Sequence, residues 1–185
     1  MASGDAGNGC VLDDGPMGSG ELDAVAIVSV MNQCGVAYVV IGAFAAIAQQ
    51  APIAPTRDID FTPDEFPENL GRLSEALRTL DARIRTGADA GGIRFDHDAR
   101  SLRRADTWNL ICQYGEFDIS FRPAGFETGY AALHERAHRL LVDGVEILVA
   151  DLDDVIRSKE LAGRPKDLRV LPTLYRYQAS RRHAE

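Results

Sequence analysis

Thr56-Arg57-Asp58-Ile59-Asp60-Phe61 alternates acidic and apolar residues with a period of two from Asp58 onward. In an extended strand successive side chains point to opposite faces, so Asp58 and Asp60 share one face and Ile59 and Phe61 the other. Such a strand has an apolar back suited to burial and a doubly anionic front. Two carboxylates this close repel unless a cation binds between them or a proton is shared. Hard oxygen ligands at this spacing suit Mg²⁺. A solvated strand edge with two ordinary aspartates is the other reading of the same residues.

Downstream, Glu116-Phe117-Asp118-Ile119-Ser120-Phe121 repeats the pattern. Phe117, Ile119 and Phe121 face one way, and Asp118 and Ser120 the other. If the two strands pair in one sheet, Asp118 joins the anionic front of Asp58 and Asp60. Three carboxylates on neighbouring strands can hold two Mg²⁺ ions, which would neutralise a triphosphate and lower the pKa of an attacking hydroxyl.

Upstream, Val36-Ala37-Tyr38-Val39-Val40-Ile41 reads as a buried strand by its β-branched and aromatic content, broken at Gly42 and followed by a short helix over Ala43 to Gln50. Free backbone N–H groups at such a turn, Gly42 and Ala43, suit a phosphate; a glycine there also serves simply to bend the backbone. A helix over Glu21 to Cys34, capped by Ser19 and with Leu22, Val25, Ala26 and Val28 on its apolar side, precedes the strand and ends at Gly35. After Thr62, leucines 70, 73, 77 and 80 predict a helix to Leu80. Ala82 to Thr86 and Gly92 to Phe95 read as strands. Trp108, read as core, begins a hairpin with Glu116 to Phe121. Leu140 to Val142 and Val145 to Val149 form another across Asp143-Gly144. His134 and His138 have the spacing of a surface helix pair. Helices over Asp151 to Ala162 and Pro165 to Arg181 close the chain, the second kinked at Pro172. The fold class is α+β: one mixed sheet flanked by helices, with a C-terminal helical segment. The expected organisation is a disordered tail over 1–20, a core over 21–150 and C-terminal helices over 151–185.

The net charge of −8 argues against a simple basic nucleic-acid binder, but it is uneven. Five of the 28 acidic residues and none of the 20 basic ones fall within 1–23, leaving −3 elsewhere. Basic residues cluster at Arg100, Arg103 and Arg104, and again at Arg157, Lys159, Arg164, Lys166 and Arg169, so a positive groove is compatible with a negative total. Cys10, Cys34 and Cys112 suggest neither a disulfide framework nor a zinc site. No apolar run approaches the roughly 20 residues of a membrane span, and no signal peptide is seen. The expected location is the cytoplasm. No Walker loop, Rossmann fingerprint or Gly-x-Ser-x-Gly occurs.

Only two of the basic residues are lysines, Lys159 and Lys166. Lys159 falls on one helical stripe with Leu152, Val155 and Ile156, the side that faces the core. A buried ammonium without an anion is costly, so Lys159 either snorkels to the edge or meets a triphosphate or carboxylate. Gly163-Arg164-Pro165-Lys166-Asp167 follows as a basic turn at a helix start. It reads as a phosphate clamp, or as a solvated loop with Asp167 in a favourable first-turn position.

In order, a strand ending in Gly42-Ala43, Asp58-x-Asp60, a later Asp118, and the run Asp151-Leu152-Asp153-Asp154-Val155-Ile156-Arg157-Ser158-Lys159 with Gly163-Arg164-Pro165-Lys166-Asp167 resemble the DNA-polymerase-β-like nucleotidyltransferase superfamily. The C-terminal run is similar to that of AbiEii/MenT-type enzymes, the toxins of bacterial toxin–antitoxin pairs. The resemblance spans about Gly35 to Leu174. It implies an NTP substrate, a tRNA or other RNA acceptor extended at its 3′ end, and a cognate antitoxin as partner. Asp58 and Asp60 would hold Mg²⁺, and Asp118 would complete the triad and help deprotonate the acceptor hydroxyl. Lys159, Arg164 and Lys166 would contact phosphates with Gly42 and Ala43, and Asp167 would be a further polar position of the motif. Thr56 lies where some relatives are phosphorylated under antitoxin control. The superfamily usually has Gly-Ser where this chain has Gly42-Ala43, so a hydroxyl is missing. A small-molecule acceptor of the aminoglycoside type and a non-catalytic NTP-binding module are the alternatives on the same fold.

Overall fold

Seven strands form one mixed sheet in the order β3-β4-β5-β2-β1-β7-β6. This computed structural model describes residues 21–183; the expected tail and its Ser19 cap lie outside the described residues. The strands are β1 (Tyr38–Ile41), β2 (Asp58–Pro63), β3 (Arg83–Ile84), β4 (Thr107–Cys112), β5 (Gly115–Ser120), β6 (His138–Val142) and β7 (Val145–Val149). The helices are α1 (Ala24–Gln33), α2 (Gly42–Ala48), α3 (Pro67–Thr79), α4 (Ala99–Leu102), α5 (Tyr130–His134), α6 (Leu152–Ala162) and α7 (Pro165–Arg182). None is long and apolar enough to cross a membrane.

The register decides where the acids go. β2 and β5 run parallel, pairing Asp58 with Glu116, Ile59 with Phe117, Asp60 with Asp118 and Phe61 with Ile119. Because side chains alternate, this alignment puts Asp58, Asp60, Glu116 and Asp118 on one face. Ile59, Phe61, Phe117 and Ile119 form the back and are fully buried. Tyr38 meets Phe61 edge-on at 5.2 Å between ring centres, and Phe61 meets Phe117 likewise at 6.4 Å, a geometry aromatic pairs favour.

The helices follow from local chemistry. α1 begins at Asp23, whose carboxylate accepts from Ala26 N at 2.9 Å, a capping bond that uses one of the helix's free N–H groups. Its buried stripe is Ala24, Ile27, Val28 and Met31. Of the expected stripe, Val28 is buried and Leu22 packs partly buried against the core ahead of α1, whereas Val25 and Ala26 yield to Ile27 and Met31, the larger apolar side chains. α3 begins with Pro67, which needs no N–H there, and buries Leu70, Leu73 and Leu77. Asn69 ties α3 to the start of β1, accepting from Ala37 N at 2.7 Å and donating to Ala37 O at 2.9 Å. α2 packs on β1, β2 and α6, and α6 on α7, which brings the C-terminal helices over the anionic face. α7 runs on through Pro172.

Two other expectations change. His134 ends α5 while His138 opens β6 and lies 2.8 Å from Asp151 Oδ2. They are not a helix pair, because β6 is drawn into antiparallel pairing with β7. The strands expected over 82–86 and 92–95 shrink to Arg83–Ile84 and a single bridge from Ile84 to Ile93. There Gly92 takes a φ of +70° and turns the chain out of the sheet.

Candidate active site

Asp58, Asp60 and Asp118 converge: each offers a carboxylate oxygen, and these oxygens all lie within 4.8 Å of one another. They line a cavity of about 530 Å³. Lys159, Arg164, Lys166 and Asp167, from α6, α7 and the turn between them, line it too, as do Gly42, Ala43 and Thr56. All the candidate residues named from the sequence therefore meet at one cavity.

The three acids sit in different surroundings. Asp58 Oδ1 accepts from the Thr56 hydroxyl at 2.7 Å. Asp118 Oδ1 accepts from Arg85 Nη2 at 2.9 Å. In the amide orientation its neighbours require, Asn109 also donates to Asp118, at 3.1 Å to Oδ2 and 3.3 Å to Oδ1. Among the described residues, nothing donates a hydrogen bond to Asp60. Burial, then the negative charges of Asp58 and Asp118, push the Asp60 carboxyl up to about 7, against the pull of Lys166 and Lys159. Burial also raises the Asp118 carboxyl, with Arg85 opposing it. Removal from water and like-charge repulsion both penalise the ionised form, and a positive charge is what relieves them.

The helix start beside Asp60 is shaped to it. Gly42 has a φ of +73°, and a Cβ built there would fall 2.0 Å from Asp60 Oδ2. The glycine thus serves close approach as well as the turn. Ala43 lines the cavity with a methyl and no hydroxyl.

Lys159 meets a carboxylate instead of reaching the edge: Nζ donates to Asp167 Oδ1 at 3.0 Å, with the lysine side chain 11% exposed and the aspartate 1%. Arg164 Nε donates to the other oxygen of Asp167 at 2.6 Å. Burial alone would raise the Asp167 carboxyl, but the bonds from Arg164 and Lys159 outweigh it and hold it below the usual carboxylate range. Asp167 takes the first-turn position expected for it in α7 but is buried there, not solvated. Arg164 and Lys166 remain exposed.

Arg85 and Asn109 did not stand out in the sequence. The alternation Arg83-Ile84-Arg85 does place both arginines on one face of a strand. Which strand they would border depends on a pairing with β4 that no local pattern specifies.

Neither a protein-family model nor a curated protein sequence matches the chain. Among solved structures, a crystal structure from Thermotoga maritima, of a protein provisionally named a nucleotidyltransferase, is similar with a TM-score of 0.51 and 16% identity. The match covers 83% of this chain and 90% of that one. The fold is nucleotidyltransferase-like: an α+β architecture with an acidic triad able to hold a metal ion on its sheet.

Proposed function

We propose that this protein is a Mg²⁺-dependent, cytoplasmic nucleotidyltransferase that moves NMP from an NTP to an RNA acceptor, the tRNA 3′ end, as the toxin of a toxin–antitoxin pair. The observation that carries the enzymatic part is the meeting of three carboxylates, within 4.8 Å of one another, across one cavity from Lys159, Arg164 and Lys166. The acceptor and the toxin role rest on the resemblance of the Asp151 to Asp167 run.

The donor set fits a hard divalent cation: it is all oxygen, and Asp60 is half-buried with no hydrogen-bond donor among the described residues. Asp58, Asp60 and Asp118 would hold Mg²⁺. When bound, the metal supplies charge neutralisation for a triphosphate and makes a nearby hydroxyl easier to ionise. The protein's own groups do the rest. Thr56 fixes the orientation of Asp58 through its 2.7 Å bond. Asp118, which lines the cavity with Asn109 and Ser120, takes the proton of the acceptor hydroxyl at a carboxylate oxygen as that hydroxyl bonds the α-phosphate, the bond to the β-phosphate breaks and pyrophosphate leaves. Arg164 and Lys166 draw in the triphosphate, with Lys159 behind them; Asp167 sets the direction of Lys159 and Arg164. Gly42 and Ala43 form the wall against which the phosphates lie. The helices over 151–185 thereby complete a site whose acids come from the core over 21–150. Phosphorylation of Thr56 would replace a donor to Asp58 by a dianion and oppose NTP binding, a route for control by the antitoxin.

The test is transfer of label. Wild type incubated with each α-labelled NTP, Mg²⁺ and total tRNA is expected to label tRNA, and Asp118→Asn is not. Absence of transfer from all four nucleotides would count against the reading. Ala43 favours a second reading, a binding module without turnover, because it lacks the hydroxyl looked for at this turn. NTP binding by calorimetry that is indifferent to Mg²⁺ would select it.

A further inference from the structure

Four side chains stand in a row across the front of the sheet. Asn109 pairs with Asp118, and Asp118 with Asp60. Arg85, just past the end of β3, donates its backbone N–H to Asn109 O at 2.9 Å. Arg85, Asn109, Asp118 and Asp60 are therefore successive neighbours at the spacing of paired strands. The Arg85 guanidinium forks between two carboxylates: Nη2 to Asp118 Oδ1 at 2.9 Å, and Nη1 to Glu116. Arg85 and Glu116 do not line the cavity, whereas Asn109 and Asp118 do. Arg85 thus reaches Asp118 from beside the cavity and not from its lining.

We propose that Arg85, anchored on Glu116 and helped by Asn109, is a positioning residue that orients Asp118 and serves as its counter-charge until a divalent cation enters. This inference rests on the metal reading of the triad. Only an arginine can do both: its planar fork spans two carboxylates, which a lysine's single ammonium cannot hold in the same geometry. The arrangement has a consequence for affinity. Arg85 competes with the cation for Asp118 and adds a positive charge beside the site, so it weakens cation binding while keeping the third carboxylate aligned.

The test is Mn²⁺ uptake, followed by loss of the free-ion paramagnetic resonance signal, in wild type, Arg85→Gln, Arg85→Lys, Asp118→Asn and the Arg85→Gln/Asp118→Asn double variant. Arg85→Gln is expected to bind Mn²⁺ roughly tenfold more tightly, the order expected for removing one charge near a partly buried site. Arg85→Lys should fall between it and wild type. In the Asp118→Asn background the same Arg85→Gln change should be worth no more than about threefold, because the group through which it acts is gone. An unchanged affinity in Arg85→Gln, or an equal change in both backgrounds, overturns the proposal. Wild type that binds no Mn²⁺ overturns the metal reading and this inference with it; binding by wild type with no response to Arg85 overturns this inference alone. Should Arg85→Gln fail to fold, Glu116→Gln serves: with Arg85 left to Asp118, Mn²⁺ is expected to bind more weakly, and unchanged binding contradicts the proposal.

Discussion

Gly42 and Asp60 occupy adjoining space: a Cβ on Gly42 would lie 2.0 Å from Asp60 Oδ2. Asp60 pairs with Ile41 at the end of β1, and Gly42 is the next residue along the chain, the first of α2. Gly42→Ala meets both a φ of +73° and a clash with the carboxylate. It is expected to cost about 2–4 kcal/mol in stability and, by displacing Asp60, to weaken Mn²⁺ binding as well. Chemical denaturation and the Mn²⁺ titration measure the two effects. A variant with wild-type metal affinity would show that Asp60 has another position open to it.

Asp60→Asn should separate function from stability. The wild-type carboxylate is half-buried, has no donor among the described residues and faces two like charges, so removing its charge relieves repulsion in metal-free protein. The variant is expected to melt at a higher temperature than wild type in EDTA, by an amount corresponding to about 2 kcal/mol, and to lose the melting-temperature increase that Mg²⁺ gives wild type. Destabilisation in EDTA would show that Asp60 has a structural role instead.

The pH dependence follows from the same group. With a folded pKa of about 7 against an ordinary 3.8, folded Asp60 binds more protons than unfolded Asp60 between those values. Metal-free stability from this group is therefore present at low pH and falls as pH rises through the window, the loss being complete above about 7. Mg²⁺ is expected to raise the melting temperature more at about pH 8 than at about pH 5. Equal increments at both pH values would contradict this.

Asp167 is the anion the C-terminal helices close around. Asp167→Asn leaves Lys159 and Arg164 without their charged partner, and is expected to cost about 3–5 kcal/mol, as breaking a buried ion pair does. Lys159→Met leaves Asp167 with Arg164, and should cost about 1 kcal/mol while reducing NTP affinity. Urea denaturation of the two variants checks the order, and near-equal losses would argue that Arg164 contributes little.

The parts of this site visible in the sequence are those written in local alternation. Asp58-Ile59-Asp60 and Phe117-Asp118-Ile119 announce their faces because a strand has a period of two, and Asp143-Gly144 announces its turn, where both residues take positive φ. The inward stripe of α6 likewise marked Lys159 as a lysine that either reaches the edge or meets an anion, and Asp167 is the anion it meets. What local pattern does not carry is partner choice. The parallel pairing of β2 with β5 joins segments far apart in sequence, and a shift of register by two residues would leave Asp118 on the same face but displaced along it. α4 and α5 are too short for a helical period to show, and Arg85 is informative only once its neighbours are known. That Lys159 meets Asp167 also depends on how α7 folds back on α6.

The central claim is that Asp58, Asp60 and Asp118 bind one shared divalent cation site. Crystals grown with Mn²⁺ and a non-hydrolysable NTP, measured at the manganese absorption edge, test it most directly. The expected result is an anomalous peak among the oxygens of all three carboxylates, with the triphosphate between it and Lys159, Arg164 and Lys166. A triad without a peak in crystals that hold the nucleotide, or manganese bound only elsewhere, would contradict it.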